Sequence, residues 1–386
     1  MKHLLGYIKG DKVIWVVIII LCAFSLLAVY SASGILVFKQ KEWNTGYYMF
    51  RHLIMLLTGI FFMYLVHLMK FTYFSKIAQV LYLLSIPLLF YTLFWGIEIN
   101  QARRWVGIEQ LGLTFQTSEM AKIAIILFIA RVLAIKGDEI KEWKSAAFSL
   151  FMPIFLVIAL IFPADNSTAG LLLLVCLLML YYGGVSMKIL TRFGGYTLVG
   201  LVVVFLVLML ARPDSTRIET LTGRINTFLF EDIEPGSHEE QAKIAIANGK
   251  IFGKLPGHST QKYKLPHPYS DSLYAFFIEE YGFLGGLILM LLYLILLFRG
   301  IRIAMKAPGK FSGLSALGIT MMLVLQAFVH IMVAAGLFPM TGQPLPLVSM
   351  GGTSMMFTFF AFGILLSISR EVYSNEEETM NEHKTV

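Results

Sequence analysis

The sequence predicts an all-α polytopic membrane protein of about ten transmembrane helices, and three observations carry that prediction. Hydrophobic residues fill 57% of the 386 positions and charged residues 14%, with a mean hydropathy of +0.74, a balance that soluble domains do not reach. Apolar runs of the roughly 20 residues needed to cross a bilayer recur near 13–34, 49–69, 73–96, 118–135, 148–163, 167–184, 190–211, 272–298, 312–337 and 349–369. Lysine and arginine collect in alternate short loops, which is how cytoplasmic loops are marked.

Each run then takes its place. The first is flanked by Lys9 and Lys12 and continues to about Gly34 without a small-residue cleavage site, so it reads as a retained anchor. Counting Lys70 and Lys76, Lys136, Lys141 and Lys144, Lys188 and Arg192, Arg299, Arg302, Lys306 and Lys310, then Arg370, every short basic loop falls on the side of the N-terminus. Both termini are therefore expected in the cytoplasm. The other side receives 35–48, 97–117, 338–348 and the long interval 212–271 between the seventh and eighth spans. Residues 1–370 read as one transmembrane domain, with 371–386 a polar, unstructured cytoplasmic tail. A pI near 9.2 is explained by this loop bias, with no nucleic-acid partner required. Cys22 and Cys176 both lie in apolar runs, which excludes a disulfide framework and a thiolate metal site.

Candidate chemistry gathers on the outward side. From Gln241 to Ser270 there is no acidic residue, while Lys243, Lys250, Lys254, Lys262 and Lys264 carry positive charge; Asp271 then stands alone where the chain turns apolar. A solitary carboxylate beside a basic field suits an acid/base group next to a phosphate-bearing substrate, and capping of the following helix is the structural alternative. Gln241–Ala247 is expected to form a short helix on the membrane surface. The paired Arg103 and Arg104 precede Trp105 and suit bidentate capture of a diphosphate; Ser118 reads as a helix cap, and Glu119 and Lys122 can pair at i, i+3. Asp165, in Pro163–Thr168, reads as the cap of the next span. Gly336–Ser354 holds three prolines and four glycines in an apolar setting, and such irregular backbone at membrane depth marks a cleft. Gln326 and His330 are expected to make interhelical hydrogen bonds. Glu279 and Glu280, inside the eighth span, count as functional candidates because buried carboxylates are costly. No phosphate-binding loop, His-Glu-x-x-His or Gly-x-Ser-x-Gly motif is present.

Taken together, Ala102-Arg-Arg-Trp105 with Gln116-Thr-Ser-Glu119 and Lys122, Gly249, Gly253 and Gly257 before Ser270-Asp271, Glu279-Glu280-Tyr-Gly282, and Leu345-Pro-Leu-Val-Ser349-Met-Gly-Gly-Thr-Ser354 resemble the SEDS family (shape, elongation, division and sporulation) over nearly the whole chain. Thr117 and Met350 depart from its usual residues. The resemblance implies a peptidoglycan glycosyltransferase that polymerises lipid II on the outer face of the bacterial cytoplasmic (inner) membrane, in the division role, with a class B penicillin-binding protein and other divisome proteins as partners. An elongation polymerase and a lipid II flippase are the alternatives. It also implies Asp271 as the catalytic residue. Growth of a glycan requires a base near the acceptor hydroxyl and positive charge near the departing diphosphate. Arg103, Arg104, Lys122, Arg224, Lys262 and Lys264 are candidates for the second role, Glu119, Glu279 and Ser349 for further substrate contacts, and a divalent cation such as Mg or Mn for a share of the charge. No metal ligands are assigned.

Overall fold

The computed structural model describes residues 9–40, 45–99, 102–108, 113–211, 237–261, 264 and 270–385. Helices dominate. Along the chain they are α1 (Lys12–Gln40), α2 (Thr45–Leu68), α3 (Thr72–Trp95), α4 (Thr117–Lys136), α5 (Trp143–Ile161, with a π-helical stretch at Ala147–Phe151), α6 (Asn166–Tyr182), α7 (Met187–Ala211), α8 (His238–Gly249), α9 (Leu273–Lys306), α10 (Lys310–Ala334) and α11 (Gly352–Thr385). Among the described residues, eight of these are long and apolar enough to cross a membrane. Two more pack among them: α6, which is shorter, and α4, which carries Glu119, Lys122, Arg131 and Lys136 yet is buried over most of its length. The fold is thus the expected polytopic helical one, with about ten spans.

Two local expectations change. The interval 97–117 is not loop alone: β1 (Ile97–Ile99), β2 (Ala102–Ile108) and β3 (Leu113–Gln116) form an antiparallel sheet in the order β1-β2-β3. The β-branched residues Ile97, Ile99, Val106, Ile108 and Thr114 suit that pleated surface. Because β3 runs directly into α4, the helix begins at Thr117 with Gln116 as its N-cap, and Ser118 lies inside the first turn. At the C-terminus, α11 continues through Thr385 where the composition suggests an unstructured tail.

Helix pairing explains how the elements around Asp271 are held. Packing is closest between α9 and α10, α2 and α11, and α3 and α4, while α8 lies against α9. At the end of the bundle away from Asp271, the buried Asp11 caps α1 by accepting from Val13 N (2.9 Å) and pairs with Arg299 of α9 (2.6 Å), which also donates to Tyr373 Oη of α11 (2.8 Å). These charges fasten three helices at one end and leave the geometry of the other end to the loops.

Candidate active site

The irregular segment between α10 and α11 is the centre of that other end. Non-helical backbone buried in a bundle must find hydrogen-bond partners for its carbonyls, and here side chains from three helices supply them. Gln343 O takes His330 Nδ1 (2.7 Å), Pro344 O takes Gln326 Nε2 (2.8 Å), Pro346 O takes Tyr293 Oη (2.6 Å) and Val348 O takes Ser25 Oγ (3.0 Å). Leu345 O accepts from the backbone of Val348 and Ser349. Leu347 holds φ +63°, a conformation that costs a non-glycine residue on the order of 1–3 kcal/mol, and this set of donors keeps it there.

Asp271 is built onto that platform. Ser349 Oγ accepts from Leu345 N (2.8 Å) and donates to Ser270 O (3.0 Å), which fixes the residue before the aspartate. Ser270 Oγ donates to Asp271 Oδ1 at 2.5 Å, and Asp271 Oδ2 faces Gly342, where an added Cβ would come within 3.7 Å. The aspartate does not cap α9: Ser272 holds the N-cap position, and no side-chain cap bond forms there. A partly exposed carboxylate that is held in place yet not spent on the helix is an available proton acceptor.

The basic residues divide into rim and interior. Arg103 and Arg104 project to opposite faces of β2, as neighbours on a strand must. Arg103 pairs with Glu98 at 3.3 Å, both well exposed. Arg104 donates Nε to Ala164 O (3.0 Å) and Nη1 to Asp165 (2.9 Å), and both arginines border a small cleft with Thr117, Ser118 and Asp165. Asp165 also caps α6 as expected, accepting from Thr168 N at 3.0 Å, and it receives Gln343 Nε2 at 3.4 Å. Arg104 is thereby connected to the platform through two side chains. Lys264 is exposed in a turn closed by its N–H on Gln261 O (2.9 Å). Arg224 and Lys262 lie outside the described residues.

Four other predicted contacts turn inward. Glu119 and Lys122 pair at 2.8 Å as the spacing predicts, but they are 6% and 1% exposed, and Lys122 donates to Gln326 Oε1 (3.1 Å), which itself holds Pro344 O. Ser349 is buried in the platform. Glu279 is fully buried and accepts from Lys254 Nζ (2.9 Å), Thr260 N (3.2 Å), Thr260 Oγ1 (2.9 Å), Gln261 N (3.2 Å) and Ser259 Oγ. Its carboxylate is committed to the chain's own segment rather than open to a ligand, and Glu280 takes Gly257 N (3.0 Å) and Ser31 Oγ, both on Oε1. Among the described residues no group of three or more His, Cys, Asp or Glu side chains is placed to hold a metal ion.

The glutamates work together with a break in α9. Gly282, at φ +74°, interrupts the helix, and the freed backbone groups pair with the incoming segment: Lys254 N with Glu279 O (2.9 Å), Leu255 N with Glu280 O (3.0 Å) and Phe283 N with Lys250 O (2.9 Å). Gly253 meets this break so closely that a Cβ there would lie 2.2 Å from Glu280 O. The short first half of α9, which directly follows Asp271, is thus fixed to the segment at Lys250–Leu255.

Comparison with known proteins places this geometry. The family model for cell cycle proteins of the FtsW/RodA/SpoVE type matches residues 11–374. Stage V sporulation protein E of Bacillus subtilis is 30% identical over 369 residues, covering 93% of this chain and 97% of its own. A probable peptidoglycan glycosyltransferase FtsW of Trichlorobacter lovleyi is 31% identical over 367 residues, covering 93% of each chain. Among solved structures, a chain from a peptidoglycan synthase complex that coordinates polymerization and crosslinking superposes with a TM-score of 0.72 at 24% identity, and the rod shape determining protein RodA of Thermus thermophilus with 0.67 at 23%; each alignment covers 94% of this chain and 98% of the other.

Proposed function

This chain belongs to the FtsW/RodA/SpoVE family of cell cycle proteins, and from that premise we propose that it is a peptidoglycan glycosyltransferase that polymerises lipid II into glycan strands during cell division. The observation that carries the reading is Asp271: a partly exposed carboxylate, positioned by Ser270 and Ser349, that is not used to cap its helix. In this reading Asp271 accepts the proton of the attacking sugar hydroxyl as the bond from the anomeric carbon to the lipid diphosphate breaks.

Arg103 and Arg104 at the cleft rim, Lys264, and the loop residues Arg224 and Lys262 are the groups we assign to the diphosphate. Arg104 suits the role because Asp165 and Ala164 O fix its guanidinium plane. Glu119, Lys122, Glu279 and Ser349 act through other groups, holding the platform and the loop in register. Residues 1–370 form the working domain, in the bacterial inner membrane, with both termini cytoplasmic and the Asp271 end outside. The partner is a class B penicillin-binding protein, which crosslinks what this chain polymerises; the relatives named FtsW support the division role.

The purified chain, incubated with a class B penicillin-binding protein and lipid II, is expected to yield a ladder of glycan strands. Absence of strands together with transfer of labelled lipid II across vesicle membranes would replace this reading with the flippase.

A further inference from the structure

We propose that His330 is a positioning residue for the glycosyl transfer: an N-terminal cap supplied by one helix to another, which orients the helix that presents Asp271. The inference rests on the polymerase reading and deepens it. A helix leaves its first backbone N–H groups without helical partners, and in α9 the first helical bond is Phe276 N to Ser272 O (3.1 Å), with Ser272 contributing no side-chain cap. The N–H of Tyr274, three residues after Asp271, is instead taken by His330 Nε2 at 3.4 Å. On the other side of the ring, Nδ1 meets Gln343 O at 2.7 Å.

The partners fix the state of the imidazole. A carbonyl only accepts, so Nδ1 carries the hydrogen; a backbone N–H only donates, so Nε2 carries the lone pair. The neutral ring, 2% exposed, is satisfied at both nitrogens. One side chain therefore ties the first turn of α9 to the loop that Asp271 Oδ2 faces at Gly342. The Gln343 whose carbonyl it holds sends its own amide to Thr168 and to Asp165, the partner of Arg104. The base and the fixed guanidinium of Arg104 are thus referenced to one residue, and the cap is supplied without use of the Asp271 carboxylate. Displacement of a reacting group by about 1 Å can cost on the order of 100-fold in rate, so the bridge governs turnover more than substrate capture.

Glutamine carries one donor and one acceptor at about the reach of the two ring nitrogens and can span both partners, whereas leucine fills the space and offers neither. The test compares wild type, His330→Gln and His330→Leu in lipid II polymerisation with a class B penicillin-binding protein, together with hydrogen exchange of the peptide spanning 270–276. The expected result is a fall of about 100-fold in kcat for His330→Leu with KM little changed, faster exchange in that peptide, and recovery of both in His330→Gln. Wild-type rates and exchange in a folded His330→Leu, a loss confined to KM, or a His330→Gln as impaired as His330→Leu would overturn the proposal. If His330→Leu fails to fold, His330→Gln decides: retained kcat supports the bridge and lost kcat overturns it. An inactive wild type whose peptide still exchanges faster in His330→Leu would count against the polymerase reading and leave the cap standing.

Discussion

Replacing Glu279 tests how the loop is fastened to the bundle. Its buried carboxylate receives Lys254 Nζ, both donors of Thr260, Gln261 N and Ser259 Oγ. In Glu279→Ala these donors lose their acceptor. The backbone N–H groups of Thr260 and Gln261 each cost about 1–3 kcal/mol if they stay buried without a partner. The Lys254 ammonium, with its side chain 30% exposed, rehydrates instead, so the 3–5 kcal/mol typical of breaking a buried pair is discounted to its lower end, about 3 kcal/mol. That is roughly a 100-fold rise in the open population of the segment. Glu279→Gln keeps one acceptor oxygen and should fall between. Hydrogen exchange of peptides within 254–261 measures the opening directly, and polymerisation should decline in the same order although Asp271 is untouched. Unchanged exchange in Glu279→Ala, in a folded protein, would refute the clamp.

Three further outcomes follow from particular contacts. Gly253→Ala should lower the thermal midpoint strongly, because a Cβ meets Glu280 O at 2.2 Å, whereas Gly257→Ala, with nothing within 4 Å, should cost only the strain of its positive φ, about 1 kcal/mol; comparable shifts in the two variants would contradict the interlock. Arg104→Lys should fail to restore the polymerisation lost in Arg104→Ala, since a single ammonium cannot hold both Ala164 O and Asp165 in one plane, and a fully active Arg104→Lys would remove the guanidinium from the argument. Tyr293→Phe should destabilise by about 1–3 kcal/mol in denaturant titration, because Pro346 O is left buried without its donor.

Much of the architecture was legible because the bilayer imposes length and polarity on each span. Apolar runs near 20 residues located the helices, although α1, α9 and α11 run on well past the expected ends at 34, 298 and 369; the segments around Arg104, Asp165 and Gln343 that stand out in the sequence are joined by hydrogen bonds, and Ser349 ties the last of them to Ser270 beside Asp271. The i, i+3 spacing of Glu119 and Lys122 gave their pairing but not their burial, which depends on Gln326 reaching from a helix 204 residues away in sequence. Glu279 drew attention as a costly carboxylate; that it clamps the loop rather than facing a ligand depends on the break at Gly282, which pattern alone does not reveal. The sheet at 97–116 was hidden because short alternating strands in an apolar chain resemble loop between spans. Gln343 gave no signal of its own, and a glutamine beside prolines acquires meaning only once its neighbours are placed.

The central claim is that Asp271 is the base of a glycan polymerase, and the measurement that tests it most directly is lipid II polymerisation by Asp271→Asn against wild type, each with the same class B penicillin-binding protein and at matched abundance. Asparagine keeps the shape and the contact with Ser270 but cannot take up a proton. The predicted result is a full ladder of glycan strands from wild type and none from Asp271→Asn, with partner binding unchanged; a ladder of normal length and rate from Asp271→Asn would contradict the assignment.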